Sequence, residues 1–194
     1  MPRRLRYAPP AGVLHVVNRG NERRTLFTES RDFEGFLGLM SWAKERCPID
    51  ILGYCLMPNH WHLVLSPDDA GAVSRYLHRV CTTHAVRLRW ATGSIGNGHV
   101  YQQRYHASLV DSERYYFYVM RYVEANALRA GLVERAEHWP WSSLAERCGE
   151  DRGILSSPPL PLPDDWVETV NEGLPADILG QIRSSTEAHN SIVR

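Results

Sequence analysis

The fold of this 194-residue chain depends on two apolar segments, ILGYCLM at residues 51–57 and HWHLVL at residues 60–65. Both segments are short and rich in residues that favour strands, and Pro58-Asn59 between them suits the centre of a tight turn. The pattern therefore predicts a β-hairpin in the middle of the domain.

The segments around this hairpin alternate between strand and helix patterns. A β-branched segment predicts a first strand at residues 12–17, and apolar residues at helical spacing predict helices at residues 30–46, 72–90 and 112–130. A further strand is predicted at residues 106–110. This order is typical of an α+β fold. The simplest architecture that has it is a ferredoxin-like sandwich, with helices packed on one face of a mostly antiparallel sheet.

The composition is that of a soluble globular protein. Apolar residues make up 43% of the chain and charged residues 23%, which excludes wholesale disorder. No segment approaches the ~18 consecutive apolar residues of a membrane helix. The N-terminal MPRRLR lacks the apolar stretch of a signal peptide, so we expect a cytoplasmic protein. The four cysteines form no C-x-x-C pair, so a Cys-based zinc site is not expected.

The formal net charge of zero hides an asymmetry. Residues 1–133 carry 17 Lys+Arg against 11 Asp+Glu, a balance of +6, whereas residues 134–194 carry 5 against 11, a balance of −6. A basic body is typical of a polyanion-binding domain, although a solvated surface of mixed charge gives the same counts. Because residues 156–163 are Pro-rich, we divide the chain into a body, residues 1–150, and a linker with an acidic tail, residues 151–194.

Two histidines of the hairpin can act together. Side chains two residues apart on a strand point to the same face, so His60 and His62 project together and Trp61 points away. Two neutral imidazoles can bind a divalent metal, but a pair of ordinary strand histidines gives the same pattern.

The helix predicted at residues 112–130 carries a second polar group. At about 100° per residue, Tyr122 and Asn126 lie one turn apart on a polar face beside the apolar stripe. In such a pair one side chain can ligate a metal while the other attacks a phosphate. Tyr115 and Tyr118 lie near the same face, and simple amphipathic packing explains a Tyr-rich helix equally well.

Five short segments together resemble the REP-associated tyrosine transposases, relatives of the IS200-type single-strand transposases. They are NRGN at residues 18–21, MPNHWHLV at 57–64, YQQRYH at 101–106, YVEANALRAGLV at 122–133 and WPWSS at 139–143. The resemblance covers about residues 7–147. It implies the ferredoxin-like HUH endonuclease fold and makes the body, residues 1–150, a transposase-like catalytic domain.

The resemblance also implies site residues and an activity. It assigns His60 and His62 as a metal pair, Tyr122 as the nucleophile and Asn126 as the third ligand, with Mg²⁺ or Mn²⁺ as the cofactor. The implied activity is a single-strand-specific DNA endonuclease and strand transferase that acts at hairpin-forming palindromic repeats through a 5′-phosphotyrosine intermediate. Its partner is single-stranded or hairpin DNA, which implies a place at the nucleoid. Whether the chain is a monomer or a dimer stays open.

Two other functions fit the same residues. A nucleic-acid-binding regulator on this fold, with a vestigial catalytic set, would bind DNA without cutting it. A metal-dependent hydrolase that uses water would cut without a covalent protein–DNA link.

The sequence departs from the family pattern near the predicted site. Ala127 follows Asn126 where the family usually has proline, and Tyr101 stands where tryptophan is common. Because alanine favours a helix and proline breaks one, we expect a straighter helix here and a slight shift of Asn126.

Several side chains are candidates for contacts with DNA. Arginines suit phosphate oxygens, and aromatic rings offer stacking surfaces to unpaired bases, although each aromatic ring could equally belong to the core. The candidates are Arg3, Arg4, Arg6, Arg19, Arg23, Arg24, Tyr101, Arg104 and Tyr105.

Overall fold

The computed structural model describes residues 12–69, 71–94, 96, 98–149 and 151–187. Its strands are β1 (Val13–Arg19), β2 (Asp50–Met57), β3 (His60–Ser66) and β4 (His106–Val110). Its helices are α1 (Ser30–Arg46), α2 (Ala72–Ala91), α3 (Glu113–Glu124), α4 (Asn126–Arg129), α5 (Ser143–Cys148), α6 (Trp166–Asn171) and α7 (Ala176–Glu187), with 3₁₀ turns at Asn21–Arg23 and Ala136–His138. Among the described residues, none of these helices has the length and apolarity of a membrane span.

The four strands form one antiparallel sheet in the order β2-β3-β1-β4. α1 connects β1 to β2 and α2 connects β3 to β4, so each helix crosses over the sheet between two strands. This arrangement confirms the α+β, ferredoxin-like fold and the predicted β2–β3 hairpin, in which β2 is an edge strand and β3 lies inside the sheet. In the register, His62 lies opposite Val17 of β1 and Cys55 of β2.

Helices cover both faces of the sheet, not one face as the sequence predicted. α1 and α2 pack on the face that carries Trp61, where they form one apolar core. α3 packs on the other face, which carries the histidines together with the apolar side chains of Cys55, Met57 and Val64. This second face needs a cover because those side chains would otherwise be exposed to water.

The predicted helix at residues 112–130 is divided in two. Ser112 caps α3 by accepting from the Tyr115 backbone N–H (3.3 Å), and the helix ends at Glu124. Ala125 (φ −82°, ψ 7°) separates α3 from the single turn of α4. The prediction of one continuous helix at residues 112–130 was therefore wrong, since the helix is interrupted at Ala125 although alanine favours helices.

The segment after residue 150 packs on the body. Ile154 joins the core under α1, and Trp166, Val170 and Ile182 join the core around α3. The division at residue 150 stays a prediction, but the described part of this segment is not a free tail.

Candidate metal and tyrosine site

The paired histidines lie at the start of β3 on the face that α3 covers. Their ring centroids are 5.1 Å apart, and the rings meet edge to face. His62 is buried, while His60 lies nearer the end of the strand and is half-buried. The structure therefore brings the two side chains together, as the alternation of the strand requires.

Each of these rings is held through its Nδ1 atom. His60 Nδ1 donates to Asn59 Oδ1 (2.7 Å), and His62 Nδ1 shares a hydrogen bond with Nε2 of His15 (2.9 Å). Among the described residues, Nε2 of His60 and Nε2 of His62 make no hydrogen bond. Each ring therefore leaves its Nε2 atom available to bind a ligand.

Burial keeps both rings neutral. It lowers the pKa of His60 to about 4, with smaller contributions from the charges of Arg19 and Arg129. The pKa of His62 lies well below the usual value, because of burial first and the neighbouring His60 second. A neutral imidazole is the form that binds a metal ion, so both rings are in the required form at neutral pH.

Tyr122 of α3 packs against the same histidines. Its ring centroid lies 5.7 Å from that of His62 and 5.9 Å from that of His15, and only 7% of the residue is exposed. Tyr115 and Tyr118 are engaged elsewhere. The Tyr115 hydroxyl lies 3.4 Å from Ser185 Oγ, and the Tyr118 hydroxyl accepts from Arg114 Nε (3.0 Å). Among the three tyrosines, only Tyr122 has a ring contact with the histidines.

Asn126 begins the turn of α4 that follows the break. The residue is 7% exposed, and its Nδ2 atom is buried with no hydrogen-bond partner among the described residues. A buried amide rarely leaves its donor unpaired without a reason. The side chain of Asn126 is therefore buried with one unpaired donor, and its place as third ligand stays a prediction.

The donor set of this site lacks a carboxylate. Within the described residues, no group of three or more His, Cys, Asp or Glu side chains could hold a metal ion, and all four cysteines are free thiols. The predicted protein ligands are two imidazole nitrogens and one amide oxygen. Such a set fits Mn²⁺ and admits Mg²⁺ with water or phosphate oxygens in the remaining positions.

Two residues of the site were missed by the sequence analysis. His15 lies at the centre of β1, is 1% exposed, and has its pKa lowered to about 3, mainly by burial. Arg129 of α4 lies over the ring of Tyr122, 4.0 Å from the centroid. His15 is the one polar side chain in the β-branched segment at residues 12–17, which was the available signal. Arg129 lay within the quoted motif without a role.

Four of the arginine candidates for DNA contact are described by the structure, and all four lie on the surface. Arg19 pairs with His60 in the register, which places a cation beside the two histidines. Arg23, Arg24 and Arg104 are also exposed, and Arg23 has a positive φ of 59°. Arg3, Arg4 and Arg6 lie outside the described residues.

The two aromatic candidates for DNA contact differ in their surroundings. Tyr101 is 9% exposed, accepts from Trp61 Nε1 (3.3 Å) and bonds His84 Nδ1 (2.7 Å). These contacts favour core packing over stacking for Tyr101. Tyr105 is half-buried, and its hydroxyl lies 2.9 Å from Ser74 Oγ.

Comparison with known proteins assigns the chain to a family. The family described as "Transposase IS200 like" matches residues 11–126, which is more than half of the chain. Among solved structures, the chain is similar to a REP-associated tyrosine transposase bound to a REP hairpin, with a TM-score of 0.61 and 19% identity over 80% of this chain and 89% of that one. At this identity the likeness concerns the fold.

A second solved structure is a transposase, described as putative, from Deinococcus radiodurans. Its TM-score is 0.43, and its identity is 16% over 64% of this chain and 96% of that one. No curated protein matches the sequence.

Proposed function

Because the chain belongs to the IS200-like transposase family, we propose that it is a metal-dependent endonuclease and strand transferase that acts on single-stranded DNA at hairpin-forming palindromic repeats. The observation that carries this proposal is the packing of Tyr122 against His62, with Nε2 of each paired histidine available at the same face. The solved relative bound to a REP hairpin supports the choice of substrate.

The residues that would hold the metal are His60, His62 and Asn126. When bound, Mg²⁺ or Mn²⁺ supplies Lewis-acid polarisation of the scissile phosphate and stabilises the charge that develops on the departing oxygen. The buried and unpaired Asn126 amide, together with two neutral imidazoles, supports this ligand set.

Tyr122 is the nucleophile in this proposal. Its hydroxyl oxygen attacks the phosphorus, the phenolic proton leaves to solvent, and the bond from phosphorus to the 3′-oxygen breaks with uptake of a proton by that oxygen. The products are a 5′-phosphotyrosine and a free 3′-hydroxyl. Because the phosphodiester energy is retained in the new bond, a second 3′-hydroxyl can reverse the step and join the strands.

Exposed arginines supply the contacts with the DNA backbone. Arg19 stands beside His60 in the register, and Arg23, Arg24 and Arg104 lie on the surface of the loops that adjoin β1 and β4. Guanidinium groups can bind phosphate oxygens through two parallel hydrogen bonds, in bidentate geometry. A substrate of this kind places the protein at the nucleoid.

The proposal is tested with labelled hairpin DNA, Mn²⁺ and a denaturing gel. We expect the parent protein to cut the strand and to give a shifted protein–DNA band, and Tyr122→Phe to lose both. Tyr118→Phe is the matched control on the same helix and should keep the band. Cutting without any band would identify a water-using hydrolase, and binding without cutting would identify a regulator; either result overturns the proposal.

A further inference from the structure

A third histidine lies in direct contact with the proposed metal pair. His15 Nε2 is 2.9 Å from His62 Nδ1, and the two rings lie within 16° of parallel with centroids 5.2 Å apart. With these values the hydrogen bond runs in the plane of both rings, edge to edge. The register explains the contact, because His15 lies two residues along β1 from Val17, the direct partner of His62.

The position of the shared proton decides whether His62 can bind a metal. If His62 carries its proton on Nδ1, that N–H donates to His15 Nε2 and the His62 Nε2 lone pair is available. If His15 donates from Nε2, the proton of His62 sits on Nε2 and blocks that atom. Both rings are neutral, so these are the two tautomeric arrangements of the pair.

His15 has no other anchor among the described residues. Its second nitrogen, Nδ1, is buried without a hydrogen-bond partner. The in-plane bond to His62 is therefore the one polar contact that this buried side chain makes within the described part of the chain. A buried imidazole held by a single bond to a metal-binding ring is not explained by packing alone.

We propose that His15 is a positioning residue, which accepts from His62 Nδ1 and so fixes the tautomer and the ring plane that direct His62 Nε2 toward the metal. This inference rests on the proposed function, because it assumes that His62 is a ligand. His60 has the same arrangement with a different partner, since its Nδ1 donates to Asn59 Oδ1. Both ligands are thus oriented through Nδ1, as is common at metal sites.

The test compares two substitutions of His15. His15→Gln can place an amide oxygen where Nε2 stands and so keeps an acceptor for His62, whereas His15→Leu fills the space without one. We expect Mn²⁺ affinity, measured by titration calorimetry, to stay close to the parent in His15→Gln and to fall about 10- to 100-fold in His15→Leu. Urea unfolding of both variants checks that each is folded.

A spectroscopic readout separates positioning from a structural effect. In long-range ¹H–¹⁵N spectra of the metal-free protein, we expect His62 to carry its proton on Nδ1 in the parent and in His15→Gln, and to lose this preference in His15→Leu. Addition of Mg²⁺, a diamagnetic probe, should then shift Nε2 of His62.

The outcomes distinguish this inference from the proposed function. Parental Mn²⁺ affinity in a folded His15→Leu, equal losses in both variants, or an Nε2–H tautomer of His62 in the parent would each overturn the role of His15. If the parent binds Mn²⁺ in a His15-dependent manner but forms no adduct with DNA, the inference holds and the transferase proposal fails. If the parent binds no Mn²⁺, both fail.

Discussion

The guanidinium of Arg129 lies over the ring of Tyr122, with its central carbon 4.0 Å from the centroid, and its Nη1 atom donates to the Tyr122 carbonyl oxygen at 2.5 Å. One side chain thus contacts both the ring and the backbone of the proposed nucleophile. The interruption of the helix at Ala125 accompanies this contact, since the chain turns there before α4 brings Arg129 back over α3.

We predict that Arg129→Lys slows cleavage while Mn²⁺ affinity stays near that of the parent. A lysine keeps the charge but cannot both cover the ring and reach the carbonyl, so Tyr122 loses part of its orientation. A misplacement of about 1 Å can cost on the order of 100-fold in rate. Single-turnover cleavage of hairpin DNA measures this effect. Arg121→Lys is the matched control, because Arg121 lies on α3, next to Tyr122 in sequence, but donates to the carbonyl of Gly173; equal losses in both variants would contradict the prediction.

We predict that the protein loses stability in mild acid. Burial lowers the pKa values of His60 and His84 to about 4 and that of His15 to about 3, whereas an unfolded histidine titrates near 6.5. Between these values the unfolded chain binds more protons than the native one. The free energy of unfolding is therefore fully retained above about pH 6.5 and falls as the pH drops toward 4.

Urea unfolding at pH 7, 6 and 5 measures this loss, which we expect to be on the order of 1 kcal/mol or more per histidine. A free energy of unfolding that is equal at pH 7 and pH 5, or that rises as the pH falls, would show that the histidines are not held neutral by the fold.

Much of the fold could be predicted because its signals are local. Two short apolar segments with a turn between them predicted the hairpin, and the helical spacing of apolar residues predicted the bounds of α1 as they are observed. The position of His60 and His62 on one face of the sheet follows from the alternation of side chains along any strand. Each of these features depends on residues close together in the sequence.

The remaining features depend on contacts between distant residues. The role of His15 depends on the register of β1 against β3. This register brings His15 within hydrogen-bond distance of His62, which lies 47 positions away in the sequence. The break at Ala125 opposes the preference of alanine for helices. Trp166, Val170 and Ile182 lie in an acidic segment, and their place in the core around α3 follows only from the tertiary structure.

We predict that DNA affinity falls with salt through the exposed arginines. Each phosphate contact on single-stranded DNA contributes a slope of about −0.7 in log K against log salt. Arg23→Gln together with Arg104→Gln should therefore flatten the slope by about 1.4. The measurement is fluorescence anisotropy of a hairpin oligonucleotide over a salt series. Arg46→Gln is the control, because Arg46 pairs with Glu45 and lies on α1, which packs on the face of the sheet opposite to the histidines. A similar flattening of the salt slope in this variant would contradict the assignment.

We predict that the segment after residue 150 stabilises the body through Glu124. This carboxylate is fully buried and accepts from Ser143 Oγ (2.6 Å), Arg147 Nε (3.1 Å) and Trp166 Nε1 (2.7 Å). Trp166→Phe keeps most of the packing but removes one donor from a buried charge, which costs about 1–3 kcal/mol. Trp166→Ala also loses the packing of the ring and should cost about 3–5 kcal/mol.

Urea unfolding of these variants, and of a chain that ends at residue 150, checks the prediction. Loss of stability on truncation would show that residues 151–194 complete the core around α3. A truncated chain as stable as the parent would support an independent body, as the division made from the sequence implies.

The unpaired amide of Asn126 leads to a prediction in which a substitution strengthens binding. Asn126→Asp keeps the shape of the side chain, removes the buried donor that has no partner among the described residues, and adds a negative charge to a donor set without a carboxylate. If Asn126 is a ligand, Mn²⁺ affinity should rise by about tenfold or more, because a charged oxygen replaces a neutral one next to the ion. Asn126→Ala should lower it, since one ligand is lost. Titration calorimetry with Mn²⁺ measures both variants.

The stability of Asn126→Asp should also come to depend on Mn²⁺, because a buried carboxylate without a partner destabilises the metal-free fold. Asn18→Asp is the control, since Asn18 is buried on β1 but donates to Cys81 Sγ on the far side of the sheet (3.7 Å). Tighter binding in Asn126→Asp alone would establish the third ligand, and unchanged Mn²⁺ affinity in both Asn126 variants would remove Asn126 from the site.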